Sequence, residues 1–167
     1  MAPFFKNDIE VLNYALTLEH LENEAYKVIN ASGKLTGKNV AYFQVIGKHE
    51  QDHVDALTAA ITKAGATPVK ARKSYNFAAL GDLGTEAGLL KVAQIMEELG
   101  VAAYNGAGIE IMDKGILTVA GQIVQVEARH TGLLRALNNV APAEAFPKAM
   151  TPQEVVAAVT PVLGPEQ

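Results

Sequence analysis

Two short segments of the chain place a glutamate and a histidine three residues apart. They are Glu50 with His53 in HEQDH, and Glu127 with His130 in EARH. Residues three apart on an α-helix share one face, so the carboxylate and the imidazole of each pair could bind the same metal ion or two adjacent ions. A single Glu-x-x-His pair is common on solvated helix faces, so the evidence lies in the residues that accompany the two pairs.

Those companions form an internal repeat. Glu19 is followed seven residues later by Tyr26, and Glu97 is followed seven residues later by Tyr104. The two Glu–Tyr pairs are offset by 78 residues, and the two Glu-x-x-His pairs are offset by 77. The sequence therefore predicts two similar helical hairpins that carry the same polar residues at the same depth.

These polar residues interrupt faces that are otherwise apolar. Steps of three and four residues from Phe43 to Ile61 pass through Glu50 and His53, and the other three helices show the same pattern. An unpaired ionised carboxylate in an apolar core costs several kcal/mol. Two divalent cations would balance four such carboxylates, so the pattern predicts a centre of two metal ions. Oxygen ligands with one imidazole per ion suit iron or manganese, and zinc would also bind.

The elements that must position these residues are helices. Alanine, leucine, glutamate and lysine recur along the chain, while glycine and proline cluster at a few breaks. We predict an all-α fold, a four-helix bundle with one long crossover between helices 2 and 3 and a short C-terminal helix. The predicted helices span residues 8 to about 30, 38 to 64, 86 to 114 and 116 to 138, with the crossover at 65–85 and a fifth helix in TPQEVVAAV after Thr151.

Composition narrows the class of protein. The 167 residues predict one domain, 1–167, with the bundle at about 7–138 and a tail with the short helix at 139–167. The absence of cysteine excludes disulfides, thiolate metal sites and cysteine nucleophiles. The net charge of −4 gives no basic surface for nucleic acid, and no apolar run is long enough for a membrane span. Without a signal-peptide pattern we expect a cytoplasmic protein, or a periplasmic or secreted one if a leader was removed.

The segments TLEHLENEAY, GKHEQDH, EELGVAAYNGA and EARH resemble the ferritin-like superfamily of di-iron and di-manganese carboxylate proteins. They are most similar to the bacterial ferritin-like domain family that includes desiccation-related proteins. The resemblance covers residues 7 to 138. It implies two bound ions with the metal ligands Glu19, Glu50, His53, Glu97, Glu127 and His130. It also implies that Tyr26 and Tyr104 each donate a hydrogen bond to a ligand carboxylate of the opposite hairpin.

Four neighbouring residues have less certain roles. Glu22 and Glu98 are each either a seventh ligand or a solvated surface residue, and the sequence favours the surface. Only Glu97 keeps the seven-residue spacing to a tyrosine, which favours it over Glu98. His20 and His49 each adjoin a predicted ligand and therefore point about 100° away from it. We expect both histidines at the surface or at an interface.

The resemblance implies two functions that share one ligand set. In the first, the centre is an oxidoreductase of the ferroxidase, peroxidase or manganese-catalase type, which reacts with dioxygen or hydrogen peroxide in protection against oxidative stress. The chain lacks the cysteines of a rubredoxin-type centre, so its electrons would come from an external donor or from substrate Fe(II). In the second, it is a non-catalytic metal-binding or desiccation-related stress protein. Helix faces with Ala and Gly are compatible with a homodimer.

Overall fold

Five α-helices account for most of residues 3–164, the part of the chain that the computed structural model describes. Within this range the β structure is limited to an isolated bridge between Tyr75 and Leu163. The all-α prediction is therefore confirmed. The helices are α1 (Asp8–Ala31), α2 (Lys38–Lys63), α3 (Glu86–Ala107), α4 (Lys114–Leu137) and α5 (Pro152–Val159).

The four long helices form two hairpins, α1 with α2 and α3 with α4. Short connections join the two helices of each hairpin, at residues 32–37 and 108–113. Residues 64–85 connect the hairpins and contain one short 3-10 turn, Phe77–Ala79, whose Phe77 is buried. This is the predicted long crossover, so the chain has the connectivity of a ferritin-like bundle. None of the helices within residues 3–164 is long and apolar enough to cross a membrane.

Side-chain caps set the starts of three helices where the sequence predicted them. The Asn7 carboxamide oxygen accepts a hydrogen bond of 3.1 Å from the Glu10 amide at the start of α1. Thr85 accepts from the Gly88 amide at 3.2 Å at the start of α3. Thr151 forms a full capping box with Glu154 at the start of α5. These bonds satisfy backbone donors that the first helical turn leaves without intrahelical partners.

Helix α3 is shorter than predicted. The prediction extended it to Lys114 and used Gly115 as the stop signal. The helix instead ends at Ala107, a 3-10 turn follows at Gly108–Glu110, and Gly115 lies inside α4.

Asp8 explains this early end, because its carboxylate organises the connection between α3 and α4. Its two oxygens accept from the Met112 amide at 2.8 Å and from the Asp113 amide at 2.7 Å. Asp113 in turn caps α4 by accepting from the Ile116 amide at 2.9 Å. A contact from a residue about 105 positions away decides the boundary, so the local pattern of the sequence could not reveal it.

The apolar core forms separate clusters on either side of the bundle centre. Along α2, Phe43 and Ile46 belong to one cluster, while Leu57 and Ile61 belong to another. Glu50 and His53 lie between them and are buried. The core therefore encloses a polar layer at mid-height and keeps bulk water from it.

The C-terminal segment covers the outside of α1 and α3. Val155 and Val159 of α5 pack against Leu18 and Ala103. The preceding residues 139–150, which we call the strap, run along α4 and α3, and the Met150 amide donates to the Ala102 carbonyl at 2.9 Å. The strap approaches so closely that a Cβ at Gly106 would lie 1.7 Å from the Met150 carbonyl oxygen.

Candidate metal centre

The six predicted ligands converge in the middle of the bundle. Each is at most 8% exposed. Helix α1 supplies Glu19, α2 supplies Glu50 and His53, α3 supplies Glu97, and α4 supplies Glu127 and His130. Their ligand atoms form two groups, each within 4.8 Å: one of Glu19, Glu50, His53 and Glu127, and one of Glu50, Glu97, Glu127 and His130.

Glu50 and Glu127 belong to both groups, so they are the residues able to bridge two ions. Glu19 with His53, and Glu97 with His130, each belong to one group. The internal repeat thus appears in space as two half-sites that share a pair of carboxylates. The structure brings all six predicted residues together, and their binding of metal stays a prediction.

Most of the buried oxygens in this cluster have no hydrogen-bond donor. Six of the eight oxygens of Glu19, Glu50, Glu97 and Glu127 lack a partner. The imidazole nitrogens also face inwards without making a well-directed hydrogen bond. Buried polar atoms left unpaired are rare in native proteins and call for a bound water or ion. A cluster of carboxylate oxygens and imidazole nitrogens is a ligand set for iron, manganese or zinc.

Both imidazoles point the same ring atom at the carboxylates. The His53 Nδ1 atom lies 2.9 Å from a Glu127 oxygen and 3.3 Å from a Glu19 oxygen. The His130 Nδ1 atom lies 3.1 Å from a Glu50 oxygen and 3.3 Å from a Glu97 oxygen. Each Nδ1 is therefore the nitrogen available to a metal ion.

The two tyrosines connect the hairpins by hydrogen bonds to glutamates of this cluster. The Tyr26 hydroxyl of α1 donates to Glu97 of α3, and the Tyr104 hydroxyl of α3 donates to Glu19 of α1, both at 2.5 Å. These are the cross-hairpin bonds that the resemblance to the ferritin-like superfamily implied. Each bond fixes one carboxylate oxygen of Glu97 or Glu19 and leaves the other oxygen of that residue free for a cation.

Without a cation, the cluster holds protons. Burial raises the pKa of Glu19 to about 8 and raises the pKa of Glu97 well above its usual value. Burial lowers the pKa of the His53 and His130 imidazoles, but the surrounding carboxylates outweigh this and raise each pKa to about 12. Burial also raises the pKa of Glu127, but the nearby His130 and His53 imidazoles hold it at about 2. Metal uptake must therefore displace protons from this site.

Glu22 is buried, which corrects the expectation of a surface residue. It is 2% exposed, and its Oε2 atom has no hydrogen-bond partner. The repeat places Gly100 at the position equivalent to Glu22, and a Cβ at Gly100 would lie 2.7 Å from the Glu22 carboxylate. The two positions adjoin each other because both lie near the pseudo-twofold axis. Only one of the two positions has room for a large side chain. The 78-residue offset, which pairs Glu22 with a glycine, was the sequence signal that could have revealed the burial of Glu22.

We expect Gly100→Ala to destabilise the protein through Glu22. Alanine normally stabilises a helix interior by about 1 kcal/mol relative to glycine, but here its methyl group would displace a buried carboxylate, at a cost of roughly 1–3 kcal/mol. Urea unfolding of Gly100→Ala, Glu22→Ala and the double variant would measure the coupling. Gly121→Ala in α4, where a Cβ meets no atom within 4 Å, is the matched control and should stabilise. Additive effects of the Gly100 and Glu22 changes would contradict the contact.

His49 touches the cluster, although we expected it at the surface or an interface. Its Nδ1 atom lies 2.9 Å from the His130 Nε2 atom, and the two rings stack with an interplanar angle of 10°. If His130 bound a metal ion through Nδ1, its Nε2 would carry the ring proton and would donate to His49. Val126 occupies the equivalent position in the other half of the repeat, so the two half-sites differ.

We therefore expect His49→Phe to weaken the binding of one of the two ions, the one on the His130 side. Phenylalanine keeps the stacked ring but removes the acceptor that orients His130, and losing such a partner lowers metal affinity about 10-fold or more. Competition against a chromophoric chelator would resolve two affinities. The affinity that Glu19→Gln lowers belongs to the His53 side and serves as the internal control. Equal weakening of both ions would show that His49 does not act through His130.

The other flanking residues lie outside the cluster, as expected. Glu98 is partly exposed and pairs with Arg135 at 2.9 Å. His20 is partly buried, and its Nε2 atom lies 3.1 Å from the Val69 carbonyl oxygen of the crossover.

Comparison with known proteins places this geometry in context. The family model of the ferritin-like domain matches residues 7–140. No curated protein matches the chain.

Two crystal structures of conserved or hypothetical proteins share the fold. Protein rv2844 from Mycobacterium tuberculosis aligns with a TM-score of 0.69 and 18% identity over 82% of this chain and 94% of its own. Protein MJ0754 from Methanococcus jannaschii DSM 2661 aligns with a TM-score of 0.71 and 17% identity over 96% of this chain and 95% of its own. At these identities the likeness concerns the fold alone.

Proposed function

Because the chain belongs to the ferritin-like domain family, we propose that it is an oxidoreductase whose paired iron or manganese ions reduce hydrogen peroxide or dioxygen. One observation carries this proposal: six buried carboxylate oxygens and two imidazole nitrogens face each other without hydrogen-bond partners. Two divalent cations would supply the positive charge that balances these carboxylates. Once bound, the pair of ions would supply two electrons, one from each metal.

Burial limits the substrate. The carboxylates of Glu19, Glu50, Glu97 and Glu127 have 0% exposure, so only a very small molecule would reach the ions. Hydrogen peroxide and dioxygen meet this requirement. An organic substrate that had to contact the metal directly does not.

The glutamates, the two tyrosines and the apolar layers of the chain have different roles in the proposed reaction. Glu50 and Glu127 belong to both ligand groups, so these two carboxylates would hold both ions. Tyr26 and Tyr104 each hold one oxygen of a terminal carboxylate. The apolar layers on both sides exclude bulk water, which strengthens electrostatic interactions in the centre. Protons displaced from the ligands on metal uptake leave the carboxylates ionised for the cations.

The proposal is tested by loading the protein with Fe(II) or Mn(II) and mixing it with hydrogen peroxide in a stopped-flow instrument. An oxygen electrode measures dioxygen consumption or release in parallel. We expect rapid turnover of peroxide in the presence of a reductant, and none with Glu127→Gln. Tight binding of both metals without turnover of peroxide, dioxygen or Fe(II) would reject the enzyme and favour a metal-binding stress protein.

A further inference from the structure

A cavity lies on the side of α3 and α4 that the C-terminal segment covers. It has a volume of about 630 Å³ and is lined mainly by α3, α4, the strap and α5, with Leu21 of α1 and Leu80 of the crossover. Most of the lining is apolar, and it includes Met96, Leu99, Ala102, Thr131, Met150 and Val159. The volume falls within the range of small-molecule sites in proteins.

The strap closes this cavity by contacts at both ends. At one end, the Arg135 Nε atom donates to the Ala141 carbonyl at 2.6 Å, and a Cβ at Gly132 would lie 3.2 Å from the Pro142 carbonyl oxygen. At the other end, the Met150 amide donates to the Ala102 carbonyl. Glycine and backbone contacts hold the strap close, so the space beneath it is part of the fold.

In two helices, a residue that lines the cavity is the immediate sequence neighbour of a predicted metal ligand. Met96 precedes the ligand Glu97 in α3, and Thr131 follows the ligand His130 in α4. The ligands point into the bundle, while these neighbours line the cavity. The wall between the two sites is formed by the helices α3 and α4 themselves.

The polar atoms of the lining define the class of ligand. Two cations, Arg135 and Lys148, face two anions, Glu98 and Glu144, and Arg135 pairs with both anions at 2.9 and 3.3 Å. The charges balance, so the cavity favours a neutral molecule. The Thr131 hydroxyl is buried and has no hydrogen-bond partner, so it can form a hydrogen bond with an oxygen atom of a ligand.

We propose that this cavity binds a neutral aromatic molecule with a phenolic hydroxyl or a quinone carbonyl at one end, hydrogen-bonded to Thr131. The lining includes Met96 and Met150, a residue type that makes favourable contacts with aromatic rings, and its apolar surface suits a ring system. A carboxylate or sulfonate is disfavoured because Glu98 and Glu144 already balance the charges of Arg135 and Lys148.

Resting on the proposed function, this ligand is the reductant of the metal centre. A hydroquinone that becomes a quinone gives up two electrons and two protons. Hydrogen peroxide accepts two electrons and two protons as its O–O bond breaks, and it leaves as two water molecules. One hydroquinone therefore balances one peroxide. Electrons can pass through the helix wall, so the aromatic donor does not have to enter the buried centre.

Calorimetric titration of the metal-free protein with 2-methyl-1,4-naphthoquinone tests the binding site independently of the redox proposal. We expect saturable binding at one site per chain. Ala158→Trp places an indole in the cavity, and its neighbour Ala157 does not line it, so Ala157→Trp is the matched control. The first variant should lose at least 10-fold in affinity, and the control should stay within twofold. Thr131→Val should lose about fivefold, as for one hydrogen bond.

Naphthalene-2-sulfonate provides a charged comparison with a similar ring system and should bind at least 10-fold more weakly. Circular dichroism would establish that every variant folds. Absence of quinone binding, or equal affinity in the Ala158→Trp and Ala157→Trp variants, would overturn the proposed site. If the quinone binds but the hydroquinone does not support peroxide turnover in the metal-loaded protein, the binding site is confirmed and its role as the reductant site is rejected.

Discussion

Replacing Glu127 with glutamine will reduce the metal content from about two ions per chain to nearly none. Glutamine has almost the same shape, but it removes the charge from a residue that belongs to both ligand groups. Glu50→Gln should act in the same way for the same reason. Glu19→Gln should retain about one ion, because Glu19 belongs to a single group. Elemental analysis of protein loaded with Fe(II) or Mn(II) and then desalted measures this content directly.

Glu98→Gln is the control for this series, since Glu98 follows Glu97 in the sequence but pairs with Arg135 outside the cluster. It should retain both ions. Anomalous diffraction at the iron and manganese edges would then locate each remaining ion. Two ions in Glu127→Gln, or equal losses in Glu19→Gln and Glu127→Gln, would contradict the assignment of the bridging residues.

The free energy of unfolding of the metal-free protein will fall as the pH rises from 5 to 8. Folding raises the pKa of Glu19 to about 8 and raises that of Glu97 well above its usual value. Between the unfolded and folded pKa values, the native state binds more protons than the unfolded state. Stability then decreases with pH by about 1.4 kcal/mol per pH unit for each such proton. His53 and His130, with pKa values of about 12, act in the same direction above pH 6.5.

Bound cations replace these protons, so the stabilisation by metal will grow over the same interval. Thermal unfolding at pH 5, 6, 7 and 8, with a chelator and with excess Mn(II), gives the two curves. We expect the melting temperature without metal to fall by about 10 °C or more between pH 5 and pH 8. One such proton changes the stability by about 4 kcal/mol over this interval, and about 1 kcal/mol corresponds to about 2–4 °C in a chain of this size. The Glu19→Gln/Glu97→Gln variant should flatten the metal-free curve. A metal-free curve that rises with pH would show that the cluster is not a store of buried protons.

The sequence predicted the fold and the six clustered residues because both depend on local spacing. An acid three residues before a histidine must share its helix face, and the repeat of Glu19 and Tyr26 as Glu97 and Tyr104 predicts the pairing of the hairpins. The predicted helix starts at residue 8, at about residue 86 and after Thr151 agree with the side-chain caps that the structure shows.

Other features depended on contacts between distant residues. Helix α3 ends early because Asp8, about 105 residues earlier in the chain, binds the segment that follows the helix. Glu22 is buried because Gly100 of another helix leaves space for it. His49 reaches His130 across two helices, although helix geometry points it away from the ligand Glu50. Position around a single helix could not reveal these three arrangements.

The crossed bonds from Tyr26 to Glu97 and from Tyr104 to Glu19 also bear on how such a chain could have arisen. One hairpin contributes two acids, one imidazole and a phenol that has its acceptor on the other hairpin. Two identical copies of an ancestral hairpin would have completed the same arrangement as a symmetric dimer. Duplication and fusion of its gene would then have freed each half to diverge, and Glu22 opposite Gly100 and His49 opposite Val126 are the differences that this freedom allows.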